Sequence, residues 1–147
     1  MSEAACRQKV FEIISAVPNV GVVHDYERWA ADWNKFIELF RDSVSGTIRG
    51  WEICRANMLS EKISNIEENR AHGFVVKGYL AVNDALATEK IFNGLIDAIC
   101  NAFKGNHTLG RICTDAGPVS AEVIDTRMFG AVLCHYAELK FPVSEIV

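Results

Sequence analysis

The chain has 147 residues, half of them hydrophobic, and a net charge of −4. That is enough apolar material to bury the core of one ordinary domain and too much for extended disorder. No basic tail or stripe is present, which disfavours a sequence-independent grip on nucleic acid, and no apolar run reaches the roughly 20 residues that span a bilayer. The opening Ser2-Glu3 lacks the basic-then-apolar pattern of a signal peptide, so none is expected. Cys6, Cys54, Cys100, Cys113 and Cys134 are odd in number and show no CxxC spacing. Reduced, structural thiols in a cytoplasmic setting are expected, with no disulfide and no bound metal.

Cys6, Val10, Ile13, Ile14 and Val17 recur at helical offsets, so a first helix is predicted over Ser2 to Val17. Ser2 is its N-cap, and Pro18 blocks its continuation. The Pro18-Asn19-Val20-Gly21 turn leads into an extended piece at Val20 to His24. A second helix is predicted from Glu27 to Val44, because Trp29, Trp33, Phe36, Ile37, Phe40 and Val44 fall on one stripe. That stripe reads as core-facing, with an aromatic ligand box as the alternative.

Thr47 to Ala56 reads as a strand, with Trp51 and Ile53 on one face. Gly73 to Val82 alternates as a second strand. Between them the polar stretch 57–72 is expected as a long hairpin connection projecting beyond the body, mobile until a partner contacts it. A third helix is predicted where Thr88, Ile91, Phe92, Leu95, Ile99 and Phe103 keep helical spacing, with Asp84 as its cap and Lys104-Gly105 as its stop. Asn106 to Pro118 is expected as a loop. Val119 to Thr126 and Ala131 to Val143 read as two more strands, joined through Arg127-Met128-Phe129-Gly130. In the last, Leu133, His135, Ala137, Leu139, Phe141 and Val143 share one face, and Cys134, Tyr136, Glu138 and Lys140 the other.

The expected fold is one α+β domain over 1–147: a mainly antiparallel sheet of four to five strands packed with three helices, in the order α-β-α-β-β-α-β-β.

Catalytic chemistry is hard to find. Cys100, His107 and Cys113 fit no zinc spacing, and no P-loop, dinucleotide fingerprint or nucleophile elbow occurs. Adjacent Cys134 and His135 point to opposite faces of a strand and cannot pair with each other. His24-Asp25 as an oriented base, or Cys134 with His24 or His72, are the remaining candidates. No catalytic, cofactor or metal residue is assigned.

The block Val17-Pro18-Asn19-Val20-Gly21-x-Val23-His24-Asp25-Tyr26-Glu27-Arg28-Trp29 resembles the start of a family of prophage tail proteins of Mu-like and related tailed phages. Asp115-x-Gly117-Pro118-Val119 and Met128-Phe129-Gly130-x-Val132-Leu133-Cys134-His135-Tyr136-Ala137-Glu138-Leu139 are similar to its closing blocks. The predicted element order is also similar to that of tail terminators, small α+β subunits that close into a ring, usually of six, on the tail tube. The resemblance implies assembly without catalysis or cofactor. It implies a homo-oligomer, partners in phage tail tube or connector proteins, and a path from host cytoplasm to virion tail. His24, Asp25, Tyr26, Arg28 and Trp29 are expected in one interface patch. Arg127, Met128 and Phe129, or the 57–72 connection, are expected in another. The competing expectations are a small intracellular enzyme built on the His24 or His135 region and a small-ligand binding module.

Overall fold

The computed structural model describes residues 2–147. Helix α1 (Glu3–Ser15) is capped by Ser2, whose hydroxyl accepts the Ala5 N–H at 3.1 Å. Strand β1 (Val22–His24) follows the Pro18–Gly21 turn. Gly21 is required there, since φ is +92° and a Cβ would lie 2.3 Å from the Arg49 carbonyl oxygen. Then come α2 (Trp33–Leu39), β2 (Arg49–Lys62), β3 (Glu68–Ala81), a 3-10 turn (Asp84–Leu86), α3 (Thr88–Ala102), β4 (Asp115–Ala116), β5 (Ser120–Phe129) and β6 (Val132–Ile146). The α+β fold is as expected.

The strands form one six-stranded sheet in the order β1-β2-β3-β6-β4, with β5 also paired to β6. Only β1 and β2 run parallel; all other pairs are antiparallel. β4 and β5 share one edge of β6, pairing with Val143–Ser144 and with Val132–Lys140 respectively.

Both faces of the sheet are packed. On one face, α1 and α3 cover Trp51, Phe74, Val76, Leu139 and Phe141 with Val10, Ile14, Phe92 and Ile99. Trp51 stacks on Phe92 at 5.6 Å and donates its indole N–H to the Val20 carbonyl at 3.1 Å. On the other face, the short α2 covers only one end, over Phe40, Ile48, Tyr79, Cys134 and Tyr136. These are the helix face and the aromatic face.

Five boundaries depart from expectation, the first at α3, which starts at Thr88 with Ala87 at its N-cap and no side-chain cap, while the expected cap Asp84 lies in the preceding 3-10 turn. The second helix spans only Trp33–Leu39, not Glu27 to Val44. The Asp32 side chain caps it by accepting the Lys35 N–H at 2.9 Å, while the Arg28 N–H is taken by Glu52. Trp29 and Val44 therefore stand outside the helix, exposed. The 57–72 connection is also corrected: β2 and β3 stay paired to Lys62↔Glu68, and only 63–67 form the turn. Cross-strand pairing satisfies backbone groups whether or not a side chain is buried, so polar composition did not end these strands. The Arg127–Gly130 bend is mostly strand, since Phe129 pairs Val132 and the turn is Gly130-Ala131. Finally, β4 sits inside the expected 106–118 loop.

Candidate functional site

The segment between β1 and α2 crosses the aromatic face as an irregular strap. Arg7 of α1 ties down its start by donating to the Asp25 and Ile53 carbonyls, each at 3.1 Å. His24 is held at both ring nitrogens. Nε2 donates to the Leu39 carbonyl at 2.7 Å, and Nδ1 accepts from the Arg28 guanidinium at 3.0 Å. The same guanidinium lies 4.9 Å over the Tyr26 ring. His24 and Arg28 thus position the strap.

Under the strap lies a cavity of about 590 Å³, walled by Trp29, Trp33, Phe36, Tyr79 and Phe129. Phe36 and Phe129 stack at 5.7 Å, and Trp33 meets both edge-on. Glu52 also lines it, from β2, and is only 2 % exposed. Its carboxylate accepts the Tyr79 hydroxyl at 2.9 Å and the Arg28 N–H at 3.0 Å. Burial, with Glu52 beside it, pushes the Tyr79 phenol far up, so it stays a donor. Lys77 is the cross-strand neighbour of Glu52, but its ammonium pairs with Glu27 at 3.4 Å. Burial pulls the Lys77 pKa down, yet Cys54, Glu27 and Glu52 together outweigh it and hold the ammonium charged.

The two interface blocks do not form two patches. Phe129 joins Arg28 and Trp29 around the same cavity, and Arg127 lies on that face with its guanidinium 4.4 Å over Tyr136. Met128, one residue from each, is exposed on the opposite face of β5, beside Leu133. The other block left in solvent is the β2–β3 hairpin. Met58, Leu59, Ile63 and Ile66 are exposed along its distal end, Ile66 at 87 %.

The candidate nucleophile pairs are not assembled. His135 accepts or donates with Thr88 Oγ1 at 2.9 Å on the helix face. Cys134 is fully buried on the aromatic face, and burial pushes its thiol up to about 11. His72 sits at the hairpin base with Glu145, each 2 % exposed, its Nε2 3.4 Å from Glu145 Oε1. Its Nδ1 faces Arg55 at 3.3 Å, and the Cys6 thiol lies 4.0 Å from the other Glu145 oxygen. Burial, then Glu145, pushes that thiol up to about 11, which makes it a poor nucleophile. Cys100 and Cys113 contact separate carbonyls, of Val119 and His107. Among the described residues, no group of three or more His, Cys, Asp or Glu side chains is placed to hold a metal ion, and no helix is long and apolar enough to cross a membrane.

Sequence reading missed Glu52, Lys77 and Tyr79. The available signal was a lone carboxylate inside the apolar run Trp51-Glu52-Ile53-Cys54, a residue type rarely buried without partners. It also missed the four aliphatic side chains within a stretch judged by its charges. No family model matches the chain, and no curated protein matches it.

Proposed function

We propose that this protein is a structural subunit of phage tail assembly, a terminator-type subunit that closes into a ring with copies of itself. The observation that carries the reading is the apolar surface left at two separate places. Trp29, 82 % exposed, stands with Tyr26 and Trp33 at the strap, and Met58, Leu59, Ile63 and Ile66 stand at the hairpin. Two unlike patches on one chain favour head-to-tail contacts, which generate rings when the rotation closes. The resemblance of the His24 and His135 blocks to prophage tail proteins supplies the biological setting.

Light scattering coupled to size exclusion tests the reading, together with negative-stain images of the purified protein. A discrete ring is expected, and deletion of the gene from an inducible prophage should leave unfinished tails that the wild type restores. A protein that stays monomeric at about 1 mM, where even weak contacts form, and that is dispensable for tails overturns it.

The cavity under the strap favours one other reading, a small-ligand binding module, because its volume and aromatic walls suit a ligand site. A monomer that saturably binds one small apolar ligand there, with no assembly, would select that alternative.

A further inference from the structure

We infer that the cavity under the strap is the socket for the β2–β3 hairpin tip of a neighbouring copy, with Lys62 of that copy reaching Glu52; the inference rests on the ring reading above. Three observations point to a second copy as the occupant.

The first is charge. Glu52 is a buried carboxylate with two neutral hydrogen-bond donors and no cation in direct contact, because the ammonium of its cross-strand neighbour Lys77 acts on it only at a distance and makes its contact with Glu27. A buried anion is costly without a counter-charge, and the aromatic walls around it suit a cation on an apolar stem. Lys62 is such a group. It is exposed at the end of β2, next to Ile63. Its cross-strand neighbour Glu68 is already taken by Arg70. Lys62 itself makes no ion pair among the described residues.

The second is reach. Glu52 and Lys62 lie on the same strand, ten residues apart, a separation of roughly 33 Å. One copy cannot bring its own tip to its own cavity. The contact has to be made between copies, and where each copy engages a different neighbour on its two sides it is heterologous, which is the geometry a ring uses.

The third is area. Weighted by exposure, Leu59, Ile63 and Ile66 of the tip and the rings of Tyr26, Trp29 and Trp33 offer on the order of 900 Å² of largely apolar surface per junction. That is the apolar share of a standard interface of about 1,600 Å².

Two blocked variants test the pairing. The tip variant carries Leu59→Asp and Ile66→Asp, and the socket variant carries Trp29→Asp and Trp33→Asp. Each is expected to remain monomeric alone and to keep wild-type circular dichroism. Mixed, they should form a 1:1 heterodimer and stop there, because one good tip then meets one good socket. Sedimentation velocity reads the outcome. Lys62→Met should weaken assembly of the otherwise wild-type chain at least tenfold, and Lys62→Arg should keep it. If the wild type forms rings while the tip variant assembles equally well, or the mixture stays monomeric, the docking is wrong and the ring reading stands. If the wild type never assembles, the docking falls, and the ring reading falls with it when the protein is also dispensable for tails. Should the socket variant lose its fold, Trp29→Asp alone, at a side chain mostly in solvent, replaces it in the mixture.

Discussion

Gly78 lies directly beneath the indole of Trp51, its cross-strand partner, and a Cβ at Gly78 would sit 2.2 Å from the ring. Trp51 cannot yield. It is fixed by Phe92 on one side and by the Val20 carbonyl at its N–H. Gly78→Ala is therefore expected to destabilise the protein by about 3 kcal/mol, the upper end of overpacking costs, read as a lower urea midpoint. A midpoint within experimental error of wild type would show that Trp51 has room to move.

His72 and Glu145 form a buried pair at the hairpin base, flanked by Arg55 and the Cys6 thiol. Removing one member leaves the other's polar atoms buried without their neighbour, so His72→Leu or Glu145→Leu alone is expected to cost about 1–3 kcal/mol. The double Leu variant should cost clearly less than the sum of the singles, because neither group is then orphaned. Additive costs in the cycle would mean that the two side chains do not act as a pair.

The amphipathic elements were legible because burial itself makes their pattern. The face of β6 that carries Ala137, Leu139, Phe141 and Val143 is buried as its alternation predicts, and Phe92, Leu95 and Ile99 of the α3 stripe face the core, whereas Ile91 of the same stripe is exposed and Ile96, outside it, is buried. The second helix was misread for the opposite reason. Trp29 fits the helical stripe, but its neighbour Arg28 is drawn to Glu52 through a tertiary contact that periodicity cannot register. The same holds for the cavity, where Glu52 and Tyr79 of adjacent strands meet Phe129 from fifty residues further along. The hairpin was expected but its paired arms were cut short at residues 56 and 73, because backbone pairing, not side-chain burial, carries them further.

His135 gives a pH dependence with a definite sign. It stacks on Phe92 at 5.7 Å and bonds Thr88. Burial pulls its pKa below the ordinary 6.5, against a weaker upward pull from Glu89. Between the two values the unfolded chain binds more protons than the folded one, so stability falls as pH drops through 6.5 and is greater above it. His135→Gln should remove this component. The wild type is expected to lose more stability than the variant between about pH 7.5 and pH 5.5, with carboxylate contributions common to both. Parallel stability curves would show that His135 titrates alike in both states.

Amide exchange separates the hairpin's own order from the order that assembly adds. The ladder continues from Asn57↔Gly73 to Lys62↔Glu68, and β3 is also paired with β6 from Asn69↔Ile146 onward. The amides of β3 in 69–72 should therefore be protected in the free subunit, those of 57–62 less so, and the turn at 63–67 least, since local stability follows packing and solvent access. The outer edge of β2 supplies the reason for the gradient, because β1 covers it only at Gly50–Glu52. On assembly, slowing is expected at 61–67 and around Trp29, where the tip and the strap lose solvent. Uniform fast exchange across 57–72 in the free subunit would contradict the paired hairpin. Slowing on assembly that bypasses both segments would place the junction elsewhere on the molecule.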